Sequence, residues 1–170
     1  MIQRVRKRGS QSAVVMALVV LMVGGGASAV LAGVQSRAGT KAKVPVVNVT
    51  LSDAQGLNGP ETLTVTPPSV KAGKVKFVVQ NAGTIVHELI VLKTDTPFDQ
   101  LPVADAGDPP APVTSGANKV SEARKAGETG DVAAGKTKSV TIKLKKGNYA
   151  LVCNIAQHYG LGMRAGFTAT

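Results

Sequence analysis

The sequence predicts an all-β domain, an antiparallel sandwich or barrel, behind an amino-terminal apolar segment. Three observations carry that reading. Short runs in which apolar and polar residues alternate recur along most of the chain. Gly, Pro and Asn punctuate those runs at strand-length intervals. Aromatic residues make up only 3% of the 170 residues and Trp is absent, whereas Val, Thr and Gly are plentiful, a balance that suits strands and turns over long helices. A chain of this length has room for one domain of ordinary size.

The amino terminus has the layout of an export segment. Residues 1–12 are basic and polar, Ala13–Val23 is uninterruptedly apolar, and Gly24–Gly26 precedes the small-x-small pattern Ala27-Ser28-Ala29. An uncleaved anchor is the alternative, because Ala13–Val34 carries no charge. Twenty-two helical residues would span about 33 Å, enough for a bilayer core. Either way Arg4, Arg6, Lys7 and Arg8 stay in the cytoplasm and the remainder is exported, to periplasm, cell surface or medium. The segments are therefore expected as 1–34 signal peptide or anchor, 35–43 polar linker and 44–170 folded domain.

Within the domain Val47, Val49 and Leu51 alternate with Asn48, Thr50 and Ser52 as a half-buried first strand. Turn residues fill Gln55–Pro60, and Leu63 and Val65 mark a second strand that Pro67-Pro68 ends, since proline donates nothing to a ladder. Val75, Phe77 and Val79 mark a third, and Asn81-Ala82-Gly83 turns the chain into a more apolar fourth over Ile85–Leu92. Thr94–Lys138 has five prolines before residue 113 and then a polar, mixed-charge stretch. It is read as a long surface connection between sheets that covers one face, with a short helix near Val120–Ala126. Val140, Ile142 and Leu144, then Tyr149–Cys153, then Gly166–Thr170 supply the closing strands.

The formal charge of +10 divides unevenly. From residue 35 onward, sixteen basic residues face ten acidic ones, which leaves +6. That surplus is scattered over Lys71, Lys74, Lys76, Lys136, Lys138 and Lys143 without aromatic interleaving, which argues against nucleic acid and leaves steering of an acidic partner open. The single cysteine excludes an internal disulfide and a four-cysteine zinc site.

The chemistry sits in four residues. The chain has two histidines, one cysteine and, beyond the export segment, one methionine. His87 lies in the fourth strand, and Cys153, His158 and Met163 form a C-x4-H-x4-M run near the carboxy terminus. Taken singly, Cys153 reads as a buried structural thiol, His87 as a bonded core histidine, Met163 as core and His158 as loop. Together they are the thiolate, two imidazoles and weak axial thioether of a blue-copper centre. Zinc accepts His and Cys but has little use for a thioether. The spacing fits, because Cys153 ends a strand, the chain to His158 can turn back over an ion, and Gly160 and Gly162 let it curl to bring Met163 in. His87 must come from a neighbouring strand, which ties the centre to the sandwich.

The run Gly147-Asn-Tyr-Ala-Leu-Val-Cys-Asn-Ile-Ala-Gln-His-Tyr-Gly-Leu-Gly-Met-Arg-Ala-Gly-Phe-Thr168 resembles the carboxy-terminal signature of the cupredoxin family, nearest its plastocyanin-like and sulfocyanin-like members. Asn81-Ala-Gly-Thr-Ile-Val-His87-Glu-Leu resembles the segment that supplies those proteins' first histidine. Over about residues 44–170 the resemblance implies a Greek-key β-sandwich, one type 1 copper ion cycling between Cu(I) and Cu(II), and electron transfer. It carries the ligand roles to His87, Cys153, His158 and Met163. One departure is visible: many relatives place an Asn after the first histidine to tie the ligand loops, and here that residue is Glu88. Its carboxylate is expected to lower the reduction potential or to bond Thr84 or the 153–158 loop.

The expected function is a monomeric one-electron carrier for redox protein partners, with Tyr159, Gly160, Leu161 and Gly162 as an apolar rim around His158 and Arg164 and the lysines as steering charges. A copper-delivery protein without redox duty is the alternative. An enzyme is disfavoured, because a catalytic copper or a nucleophile–base pair needs further histidines and both are in use. An adhesive sandwich would require the four-residue set to be accidental.

Overall fold

The computed structural model describes residues 43–105, 111–112 and 118–170. The expected export segment and all but the last residue of the linker lie outside the described residues. The elements are β1 (Val46–Asp53), β2 (Glu61–Thr66), β3 (Ser69–Val70), β4 (Gly73–Asn81), β5 (His87–Lys93), β6 (Val103–Asp105), β7 (Ala111–Pro112), β8 (Lys119–Val120), β9 (Lys125–Val132), β10 (Thr137–Leu144), β11 (Gly147–Val152), the single-turn helix α1 (His158–Leu161) and β12 (Arg164–Ala169).

The period-two runs become the inner faces of two sheets. One sheet has the order β10-β4-β1-β2 and the other β3-β12-β11-β5-β9, with β7-β6-β8 as a small third sheet. Val47, Val49 and Leu51 of β1 and Val75, Phe77 and Val79 of β4 meet Leu89, Val91, Leu151 and Phe167 of the facing sheet in one core. Phe77 and Phe167 touch edge to face at 5.5 Å between centroids. The chain changes sheets from β2 to β3, back at β4, and again at β5, β10 and β11. That over-and-back path is the connectivity of a Greek-key sandwich. The pairing is not wholly antiparallel as expected: β1 and β4 run parallel, as do β3 and β12. The cause is β3, which takes the chain across to the other sheet before β4 returns beside β1.

The 94–138 stretch departs further from expectation. It does not simply cross between sheets, because Lys125–Val132 is a strand on the edge of the five-stranded sheet, paired with β5. No helix covers 120–126; a turn closed by Lys125 N–H on the Glu122 carbonyl at 2.9 Å occupies that place. The edge strand leaves no mark in the sequence because it carries no alternating apolar pattern: its sequence is Lys-Ala-Gly-Glu-Thr-Gly-Asp-Val and its pairing with β5 is broken by register shifts. A polar, bulged edge also resists pairing with another chain. The upstream part does cover a face. Leu101 and Val120 pack with Ile90, Leu92, Ala150, Val152 and Tyr159 in a second apolar cluster on the outer side of the five-stranded sheet.

Candidate metal centre

At one end of the sandwich the inward-facing positions change from apolar to polar. Asp53 continues the phase of Val47, Val49 and Leu51; Glu61 shares that of Leu63; Asn81 follows Val75, Phe77 and Val79. All three are at most 5% exposed. Beside them stand His87, the first residue of β5, and Cys153, the first residue after β11. His87, Cys153 and His158 form the cluster, all buried, with possible ligand atoms within 4.8 Å of one another. The two histidine Nδ1 atoms are 2.9 Å apart, and Cys153 Sγ is 3.4 Å from His158 Nδ1. Donors on one ion at about 2.0–2.3 Å, subtending 90–110°, stand roughly 3–3.5 Å apart, so these two spacings fit a shared ion.

The chain around His158 shapes this cluster locally. Gln157 adopts a left-handed backbone (φ 76°), one helical turn follows, and Gly162 at φ 117° closes it by donating its N–H to the Tyr159 carbonyl. The conformation at Gly162 is one that a residue with Cβ rarely takes. Met163 N–H then donates to the His158 carbonyl at 3.0 Å, and Met163 accepts at its carbonyl from Cys153 N–H at 3.1 Å. Met163 is fully buried. Gly160 serves a different purpose from the curl expected of it: a Cβ there would press on the Asn118 side chain.

His87 is held from behind. Its Nε2 lies 2.8 Å from Asp53 Oδ2, and both side chains are fully buried. An ionised carboxylate only accepts, so Nε2 carries the proton and Nδ1 presents a lone pair to the cluster. Burial alone would raise the Asp53 carboxyl, but hydrogen bonds from the Thr84 hydroxyl, His87 and the amides of Thr84 and Gly56 outweigh it and hold the group well below the usual carboxylate range. Asn81 secures the turn before His87 by donating to the carbonyls of Ile85 and Val132, each at 2.8 Å, and accepting from Gly83 N–H at 2.8 Å.

Cys153 and His158 are tuned by burial. The thiol is pushed up to about 12 by desolvation, against the pull of the Glu88 and Ile155 amides, so a cation is needed to draw out the thiolate. Glu88 N–H points at the sulfur from 3.3 Å. His158 is pushed down to about 4, chiefly by burial and then by His87, and is neutral at physiological pH. Glu61 is pushed up to about 7 by burial and by Asp53.

Glu88 differs in part from expectation. Thr84 is engaged by Asp53, not Glu88. The Glu88 carboxyl is raised by burial and by Glu122, while the Asn154 backbone N–H, inside the 153–158 loop, opposes the rise. The 153–158 loop is also tied to β8 and the turn after it by Asn154, whose side chain accepts from Val120 N–H at 2.7 Å and donates to the Val120 carbonyl and to Glu122. Tyr159 does not belong to an exposed rim. It is 2% exposed, donating its hydroxyl to the Phe98 carbonyl and accepting from Leu101 N–H. Arg164 donates to the Tyr159 carbonyl at 2.7 Å and lies over its ring, so its guanidinium also serves this packing.

The two-sheet sandwich and the histidine–cysteine–histidine group at its end define a cupredoxin-like architecture. Similar solved structures include auracyanin from Roseiflexus castenholzii, 18% identical, with 72% of this chain and 96% of that one covered at a TM-score of 0.48. Another is auracyanin A, a "blue" copper protein from Chloroflexus aurantiacus, 18% identical over 74% and 99% of the two chains, TM-score 0.49. Rusticyanin from Thiobacillus ferrooxidans is 17% identical over 75% and 79%, TM-score 0.47. No protein-family model matches the chain, and no curated protein matches it in sequence.

Proposed function

We propose that this chain is a cupredoxin that holds one copper ion through His87, Cys153 and His158, with the Met163 thioether as a further ligand, and carries single electrons outside the cytoplasm. The observation that carries the reading is the donor set itself. One thiol and two imidazole nitrogens converge within 4.8 Å in a buried pocket, and the thioether-bearing residue is tied by its backbone to two of them. Soft sulfur with imidazole suits copper in either oxidation state. When bound, the ion supplies a one-electron couple between Cu(I) and Cu(II).

The chain's own residues keep that couple fast by not moving. Asp53 fixes the His87 ring, Glu88 N–H stabilises the thiolate, and the turn closed by Gly162 sets His158 and Met163 together. Burial excludes water from the sulfur. Val86, beside His87, is 42% exposed, and Leu57, in the loop between Asp53 and Glu61, is 46% exposed. With the half-buried Leu161 they supply small apolar surface suited to brief encounters with a redox partner. The amino-terminal pattern supports export, followed by release or retention on a membrane tether; among the described residues no helix is long and apolar enough to span a bilayer.

Voltammetry on the copper-loaded chain tests carrier against delivery. A reversible one-electron wave with fast self-exchange is expected. Irreversible behaviour with ready surrender of copper to an acceptor protein would favour delivery.

A further inference from the structure

Glu61 is the one residue of the pocket whose position neither the ligand set nor the packing explains. It is 2% exposed, and among the described residues neither carboxylate oxygen has a hydrogen-bond partner. It also stands directly across the β1–β2 ladder from Asp53, a second buried carboxylate on the same inward face. Like charges directly opposite each other destabilise a sheet, and an uncompensated buried carboxylate costs several kcal/mol (order of magnitude). Asp53 is compensated by Thr84, Gly56 and His87. Glu61 has nothing of the kind. Its Oε2 instead lies 3.3 Å from His158 Nδ1, the atom that also faces His87 Nδ1 and Cys153 Sγ. Its backbone packs against Gly162, the residue before Met163: a Cβ on Gly162 would come within 2.7 Å of the Glu61 carbonyl oxygen.

A coordinating Nδ1 directs its lone pair at the ion and has no proton to give Glu61. Two donors on one ion at about 2.1 Å and a near-tetrahedral angle stand about 3.4 Å apart, which is the spacing between Glu61 Oε2 and His158 Nδ1. We propose that Glu61 supplies a carboxylate oxygen as a further protein ligand to the ion held by His87, Cys153 and His158. The inference rests on the copper reading and adds to it. With thiolate and carboxylate both bound and both imidazoles neutral, a cupric ion and these ligands sum to no net charge, which leaves Asp53 as the buried anion, held by Thr84, Gly56 and His87. The bound ion is then the cation that Glu61 lacks. A hard anionic oxygen favours the cupric over the cuprous state, so Glu61 holds the reduction potential below what the two imidazoles, thiolate and thioether alone would set.

The test compares the copper-loaded full chain with Glu61→Gln by paramagnetic resonance, visible absorption and chelator competition. The expected result is a changed copper hyperfine splitting, a shifted thiolate-to-copper band, a raised reduction potential and cupric affinity weakened about tenfold or more. X-ray absorption on the unmodified protein gives an answer even if the variant misfolds: one oxygen scatterer beyond the two imidazoles and the sulfur is expected at bonding distance. A blue parent whose Glu61→Gln form keeps the same spectra and affinity, or a parent with no such scatterer, overturns the inference and leaves the copper reading standing. A parent that takes up no copper overturns both.

Discussion

His87 Nε2 and Asp53 Oδ2 stand 2.8 Å apart with both side chains closed to solvent, and they come from strands in opposite sheets. The contact therefore joins the two halves of the sandwich at the end that carries the histidine–cysteine–histidine cluster, as well as orienting the His87 ring. Asp53→Asn keeps the size and some acceptors but loses the charge that fixes the imidazole tautomer. Cupric affinity is expected to fall about 10–100-fold, as it does when partners behind metal ligands are removed. Chelator competition measures it. Asp53→Ala also strips partners from the Thr84 and Gly56 amides, and should cost about 1–3 kcal/mol of stability for each donor left buried.

Phe77 is fully buried between the sheets and meets Phe167. Phe77→Ala should cost about 3–5 kcal/mol in urea unfolding, from lost transfer energy and the cavity left behind. The change lies in the apolar core and not in the metal pocket, so any surviving folded fraction should keep the parent's copper spectrum.

Tyr159→Phe separates packing from docking. The hydroxyl bridges Phe98 and Leu101 across the outer cluster. Its loss should cost about 1–2 kcal/mol in thermal or urea unfolding, because two backbone groups lose a partner. The rate of electron exchange with a partner should stay within twofold of the parent. A large fall in that rate with unchanged stability would return Tyr159 to the surface role the sequence suggested.

Copper binding should be linked to folding, because His87, Cys153 and His158 come from β5, the residue after β11 and α1, and converge only in the folded state. Free copper at a hundredfold excess over Kd should stabilise the chain by about 2.7 kcal/mol. Calorimetry should show Tm rising with copper concentration in the parent, and little or no rise in Cys153→Ser.

Most of the sandwich was legible because half-buried strands print their inward face at every second residue, as Val75, Phe77 and Val79 do. The cluster was legible because the histidines and the cysteine occur nowhere else in the chain. Two kinds of feature were hidden. The edge strand Lys125–Val132 has little to bury and so leaves no pattern. Asp53 and Glu61 were in phase with their strands' inward residues, but a carboxylate in that phase reads as a strand end unless its partner is known. The partners are Thr84 and His87 for one and the cluster at His158 for the other, and only the fold brings them together. Tyr159 was misplaced because its neighbours in sequence are loop residues, while its packing partners come from β5, β8 and β11.

The central claim is tested most directly by adding cupric ion to the purified full chain and recording its visible spectrum. The expected result is an intense blue thiolate-to-copper absorption that saturates at one copper per chain and is absent from Cys153→Ser. A colourless protein that instead binds zinc tightly, or a Cys153→Ser form that keeps the blue band, would contradict it.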